Sequence, residues 1–311
     1  MTQLKQRREI IFLYDVKDAN PNGDPDNGNQ PRMDPDGYNV VTDVRLKRTI
    51  RDYWIKNGKN VLVRRVEDEA TSKLKTMKEL ITTGLNINES DKNRSDIRKK
   101  APETFVDVKF FGAAITLPGA NVSITGPVQF GIGRSLNKPN IVNYTITTTF
   151  AATENKGQGS FGETQGIDYS LIAFPGIISE TTAKETGLSE EELSNLWDGL
   201  WYGTKNLNTR SKFNHNPRLL LVVVSKEEQF QIGGLNRKLN LKKLDSDQNI
   251  LSESSIHIDV TKLINRILEF KDSISHIELK EDSSLKFVYN DGDPSSLANI
   301  LQSKDITVSE L

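Results

Sequence analysis

The sequence predicts an α+β fold whose core follows the ferredoxin-like order βαββαβ. Three observations predict it. Two apolar runs, Ile10–Tyr14 and Leu219–Val224, are short enough to be buried strands. Two stretches, Asp43–Lys56 and Ser189–Gly203, carry the apolar period of a helix. Between these helices, alternation from Val142 to Phe150 and a second strand over Asp168–Ile178 read as a β-hairpin.

The first strand covers Arg8–Lys17. From Asn20 to Asn39, sixteen of twenty residues are Asn, Asp, Pro or Gly, a composition that rules out a regular element. A loop of that length inside a domain is usually functional or disordered. The following helix takes Thr42 as its N-cap and brings Leu46, Ile50, Tyr53 and Trp54 to one face. Lys47, Arg48 and Arg51 lie opposite, with Arg45 at their border. Asp52 is the one acid on that face, so neutralisation by neighbours one turn away is thin. A solvated helix face is the ordinary account of such a pattern; four cations on one face also suit consecutive phosphates.

Val61–Leu80 is charged with helical character, and Thr82–Pro102 reads as a mobile Asn/Lys-rich insertion. Residues 57–104 together form the expected inserted region, after which Phe105–Thr116 regains a buried character. The hairpin tip, residues 151–167, is overlong and contains Gly157, Gly159, Ser160, Phe161 and Gly162. It is either a disordered surface loop or a place where backbone and an aromatic ring approach a ligand. In the second helix Ser189 and Glu192 form a capping box, and Leu193, Leu196, Trp197, Leu200 and Trp201 make a core stripe. A strand over Arg218–Lys226 follows. The final stretch offers a helix at Val260–Phe270, a strand at Leu285–Tyr289 and a short closing helix. Residues 1–311 thus read as one domain with insertions, completed by the acidic segment 245–311.

The 311 residues hold 41 basic and 42 acidic side chains, a net charge of -1 that conceals an uneven distribution. Residues 1–100 carry 21 basic and 16 acidic groups; residues 205–243 carry nine cations and two acids; residues 245–311 carry thirteen acids and six bases. A uniformly basic protein is excluded, but a basic groove is not. Without cysteine, disulfides, thiolate zinc sites, iron–sulfur clusters and cysteine nucleophiles are excluded. The three histidines, His215, His257 and His276, lack metal-ligand spacing, and no cofactor is expected. The polar N-terminus and the absence of a long apolar run predict a soluble cytoplasmic protein with no membrane partner.

Enzyme signatures fail one by one. Gly131-Ile132-Gly133 lacks the ending of a phosphate loop. Gln158–Gly162 misses the first glycine of a nucleophile elbow and sits in a hairpin. A calcium loop starting at Asp24 meets Gly28 and Pro35 at its fifth and twelfth positions. Magnesium held by one or two of Asp24, Asp26, Asp34 and Asp36 stays open beside the plainer reading of turn-forming residues.

Asn20-Pro21-Asn22-Gly23-Asp24-Pro25 and the run Val41–Tyr53 add a more specific signal. With Asp107–Gly112, Thr125–Gly131, Arg134-Ser135-Leu136-Asn137 and Gly159–Gly162 through Gly166–Tyr169, they closely resemble the CRISPR-associated backbone subunit of type I Cascade effectors. Such subunits belong to the RAMP superfamily, and the sequence resembles the type I-B branch most. The likeness covers most of residues 8–225.

The resemblance implies an RRM-like palm with a fingers insertion, to which 57–104 belongs, and a thumb hairpin with its tip at 151–167. It implies copies arranged in a helical filament along one CRISPR RNA, each thumb flipping a base, with the open guide segments pairing with target DNA. Handle-binding, large and small Cascade subunits are implied as further partners. So is an absence of catalysis, cutting being left to a separate helicase-nuclease. Carried onto this sequence, it implies RNA contacts at Asn20, Asn22, Arg45, Lys47, Arg48, Arg51, Gln129, Arg134, Ser135 and Ser160, with Phe161 as the wedge. The family pattern usually has Arg where Lys109 stands. Two rivals remain: a metal-dependent target-RNA endonuclease of the type III kind, using an aspartate after the first strand, and a protein-only structural polymer.

Overall fold

A strand flanked on both sides and covered on both faces has no solvent side, so its sequence is continuously apolar instead of alternating. The run Ile10–Tyr14 at the heart of strand β1, Arg8–Ala19, is of that kind. The computed structural model describes residues 2–68, 71–87, 94–117, 120–147, 161–245 and 249–311. After β1 come β2 (Gly23–Asp24), β3 (Gln30–Pro31), β4 (Val40–Val41) and the helices α1 (Asp43–Lys56), α2 (Met77–Leu85), α3 (Arg94–Thr104) and α4 (Val106–Phe111). Next are β5 (Gly112–Leu117), β6 (Ala120–Thr125), β7 (Val128–Phe130), β8 (Gly133–Ser135), β9 (Ile141–Thr147) and β10 (Phe161–Ile178). The helices α5 (Glu180–Thr186) and α6 (Leu193–Lys205) lead to β11 (His215–Ser225), β12 (Asn240–Lys243) and β13 (Ile256–Asp259). The chain closes with α7 (Thr261–Glu269), β14 (Ile274–Glu281), β15 (Phe287–Val288), α8 (Leu297–Gln302) and β16 (Val308–Glu310).

The main sheet runs β16-β14-β11-β1-β10-β8-β4, with β7 and β9 also paired to β10. Its centre, β11-β1-β10-β8, has the strand order expected of the βαββαβ pattern, and β1 is antiparallel to both neighbours. Along β1 the side chains part by parity. Ile10, Phe12, Tyr14 and Val16 join Leu46, Ile50 and Trp54 of α1 and Leu196, Leu200 and Trp201 of α6 in one core. Ile11 and Leu13 join Leu263, Ile264 and Ile267 of α7 on the opposite face. A third core, including Leu62, Ile81, Ile97, Phe105 and Ile115, belongs to the region from α2 to β6.

Several expectations shift. The second strand of the pattern is not one continuous element: β9 pairs only Phe161–Ile167, while β7 and β8 pair the inner part of β10. Because β10 begins at Phe161, the last seven residues of the expected tip are strand; residues 151–160 lie outside the described residues. Helix α2 starts only at Met77, behind the capping box of Thr76 and Glu79. Helix α3 occupies part of the stretch expected to be a mobile insertion. Glu192 reaches back to the Ser189 amide (3.0 Å), but Ser189 bridges Gln3 and α6 begins at Leu193. Only half of the predicted capping box forms.

The Asp107–Gly112 motif is a structural joint. Asp107, fully buried, accepts from Arg51 Nε (2.9 Å) and from the amides of Leu62 (2.7 Å) and Val63 (3.0 Å). One carboxylate thereby ties α1 to the third core. Gly112 has φ +76°, and a Cβ there would lie 2.1 Å from the carbonyl oxygen of Ile124. Only glycine makes that turn from α4 into β5.

Candidate nucleic-acid interface

Helix α1 starts where the chain leaves the Asn/Asp/Pro/Gly loop, and side-chain hydrogen bonds order that junction. Thr42 caps the helix through the Arg45 amide (3.3 Å), and Asn22 Oδ1 accepts from the amide and hydroxyl of Thr42, both at 3.0 Å. Asn20 donates through Nδ2 to the carbonyl of Asn29 (2.7 Å). Its backbone amide donates to the carbonyl of Ser211 (2.8 Å), which brings the segment before β11 against the loop. Lys212 then reaches in, its Nζ donating to the carbonyls of Asn20 (2.7 Å) and Pro21 (3.4 Å).

Two half-buried cations, Arg45 and Lys212, therefore converge at the N-terminal turn of α1, where the helix dipole is already positive. Neither forms a salt bridge with a carboxylate among the described residues. Arg45 donates to Thr49 Oγ1 (3.0 Å), and its Nε is buried without a partner. Burial, then the nearby Arg45 charge, lowers the Lys212 ammonium to about 8. His215, stacked on Tyr14 with centroids 5.8 Å apart, is lowered to about 3, chiefly by burial, so it is neutral. Its Nδ1 lies 3.1 Å from the Phe213 carbonyl, while its Nε2 and Asn20 Oδ1 are buried with no hydrogen-bond partner among the described residues. Phe213, 59% exposed, is displayed on this tethered turn.

The remaining residues implied by the resemblance are placed unevenly. Lys47 is held by Asp43 (3.1 Å) and Gln129 Oε1 (3.3 Å), and Arg48 is exposed and paired with Asp52 (2.7 Å). Both stay on the same helix as Arg45. Arg51 is a correction: it does not share an open cationic face but is buried against Asp107. The Ser135 hydroxyl is buried, accepting from the Asn39 amide (2.9 Å) and donating to the Asn137 carbonyl (2.6 Å). Arg134 lies over the Tyr38 ring (4.7 Å) and pairs with Asp34 and Asp36. Asn22 and Asn20 shape the junction. Ser160 lies outside the described residues; Phe161 is described only as the first residue of β10, paired to Thr147.

The acidic loop is occupied internally. Asp24 pairs with Arg32 (3.0 Å), and Asp34 accepts from the amides of Asp36 (2.9 Å) and Tyr38 (3.0 Å). Among the described residues no three His, Asp or Glu side chains are grouped to hold a metal ion. No described helix is long and apolar enough to cross a membrane. Sequence reasoning missed Lys212, Phe213 and His215 as site residues. Lys212 was visible only as one cation of the basic segment, 192 residues from Asn20.

Fold and site define a class: an α+β protein of ferredoxin-like strand order, with a third core beside the sheet and a pair of half-buried cations at a helix start. The profile of the family described as CRISPR-associated protein Cas7 matches residues 6–261. The chain belongs to the Cas7 family. A Haloferax volcanii protein named "CRISPR-associated protein Cas7" is 30% identical over 312 residues, spanning 94% of this chain and 91% of the relative. Two solved structures share the fold. One, titled "CRISPR RNA-guided surveillance complex, pre-nicking", aligns at TM-score 0.53 and 12% identity, covering 96% of this chain and 98% of its own. The other, titled "CRISPR RNA-guided surveillance complex", aligns at 0.50 and 14%, covering 96% and 99%.

Proposed function

We propose that this chain is a non-catalytic guide-RNA-binding backbone subunit of a CRISPR surveillance complex, acting in the cytoplasm. Copies line one CRISPR RNA and present it to target DNA, beside other Cascade subunits. The observation that carries the reading is the pair Arg45 and Lys212, half-buried cations at the start of α1 without a salt-bridge partner among the described residues. An uncompensated cation that is partly desolvated costs stability, and an arriving phosphate offsets that cost while fixing register without reading bases. Phe213 beside the pair offers a ring to an unstacked base, a contact worth roughly 1–3 kcal/mol. In this reading residues 57–104 are fingers and the β9–β10 hairpin is the thumb.

The experiment is binding of guide RNA to the purified chain, followed by fluorescence anisotropy across pH. Phosphate favours the charged form of Lys212, so binding takes up a proton once the free lysine begins to titrate near 8. Affinity is expected to fall as pH rises from 7 to 10. Lys212→Arg, which stays charged, is expected to flatten that fall. A wild-type profile already flat across this range removes Lys212 from the interface.

Incubating the RNA-loaded protein with complementary RNA and Mg²⁺ tests the absence of catalysis. The target is expected to remain intact. Regularly spaced cuts that vanish in Asp24→Ala or Asp26→Ala would instead make this a nuclease.

A further inference from the structure

A second basic surface lies away from the α1 start, on the side of the sheet covered by α7. Between the turn at Gly233–Gly234 and one face of α7 opens a cavity of about 650 Å³. Four cations line it, Arg237, Lys238, Lys262 and Arg266, and the single acid, Glu269, is held by Arg266 (2.6 Å). Arg237, Lys238 and Lys262 make no ion pair among the described residues. The turn is built to stay open. Glu9 accepts from the amides of Ile232 (2.6 Å) and Gly233 (2.8 Å), and Gly233 and Gly234 have φ of +77° and +66°. A Cβ on Gly234 would lie 2.8 Å from Arg237 Nη2, so glycine lets the guanidinium fold over the turn.

A second cavity of about 480 Å³ shares Gly234 and Arg237 with the first. Its floor is apolar, with Phe130, Pro175 and Ile177, and it extends to Gln129. Gln129 in turn accepts from Lys47 of α1 (3.3 Å). The second cavity thus has Arg237 at one end, an apolar middle, and Gln129 with Lys47 behind it at the other; its one acid, Glu9, is engaged by the turn amides.

We propose that the two cavities form one track for single-stranded nucleic acid, with the phosphodiester backbone at Arg237, Lys238 and Lys262 and a base over the Phe130–Pro175 floor. Two adjoining cavities of about 650 and 480 Å³ offer far more room than a small anion fills. At its cationic end the track is lined only by charged and polar side chains and glycine, without the apolar or aromatic anchors on which protein interfaces depend; the apolar residues are confined to the second cavity, where a base would sit. A phosphodiester chain needs only cations and amide donors. The inference extends the RNA-binding reading to a second face through residues separate from Arg45 and Lys212.

The test uses the full chain with Lys238→Gln and Lys262→Gln combined. Anisotropy is measured for a labelled guide RNA, and for a labelled non-complementary DNA strand added to guide-loaded protein. If the guide occupies the track, the double variant lowers the salt slope of guide binding by about 1.4, and the DNA arm shows no binding. If a second strand occupies it, DNA binds the wild type and weakens on the order of tenfold in the variant, with guide binding unchanged. Either result supports the track. No change in either arm overturns it, as does binding of polyglutamate that is lost in the variant while both oligonucleotides bind as before. Failure of the first reading is distinct: guide affinity would then be indifferent to replacing Arg45 and Lys212.

Discussion

Guide RNA is expected to bind the double variant Arg45→Met, Lys212→Met roughly a hundredfold more weakly, each lost charge-assisted contact being worth about 1.5 kcal/mol. The slope of log affinity against log salt should fall by about 1.4, since two fewer phosphates are neutralised on a single strand. Titration by anisotropy at four salt concentrations reads both. A variant that weakens without a change in slope has lost its shape and not its charge, and circular dichroism on the same samples separates the two. The free protein supplies an independent check. Lys212 titrates near 8 when folded and near its ordinary 10.5 when unfolded, so between those values the unfolded chain holds the extra proton. Stability contributed at this position therefore rises with pH across that window, and the difference between wild type and variant should show it. An unvarying difference means that the lysine is not desolvated.

Asp107→Ala is expected to lower folding stability by about 3–5 kcal/mol, the range for removing one partner of a buried pair. The substitution strands the buried Arg51 guanidinium and Leu62 amide, and the part-buried Val63 amide with them. Chemical denaturation followed by tryptophan fluorescence measures it, because Trp54 shares α1 with Arg51. A loss below about 1 kcal/mol, inside the range of ordinary surface changes, would mean that the joint is dispensable. Arg51→Met should also destabilise, yet leave the salt slope of RNA binding where it was. A reduced slope would return Arg51 to the RNA.

The difference between Arg45 and Arg51 shows what periodicity conveys. Helix α1 was legible to the residue, including its Thr42 cap, because cap chemistry and apolar spacing are local properties. So was the order of the central strands, since continuous apolar runs mark strands covered on both faces. The wheel separated apolar from charged positions but could not say that a carboxylate 56 residues away waits under Arg51. Lys212 was hidden for the same reason, its partners being backbone carbonyls distant in sequence. Strand β14 escaped detection because its buried residues, Ile274, Ile277 and Leu279, break the two-residue period, and its pairing with β11 shifts register between Val224 and Ser225. Ser135 belongs to a recognisable motif, and its hydroxyl is engaged within the fold. Its motif neighbour Asn137 donates to the Tyr169 carbonyl (2.8 Å) and accepts from the Leu171 amide (2.9 Å), which shows what the motif does: it stitches loop to strand.

The central position of β1 has a consequence for biosynthesis. Both of its neighbours come late: Arg8 faces Ile178 on one side and Val224 on the other. At ribosomal rates of about 5–20 residues per second, this central strand leaves the exit tunnel on the order of ten seconds or more before either edge can be paired. During that interval it is an adhesive ribbon attached to a translating ribosome. Such distant pairing also gives a high contact order and slow folding. Supply of competent subunit is then governed as much by protection of the first twenty residues during synthesis as by any property of the finished sheet.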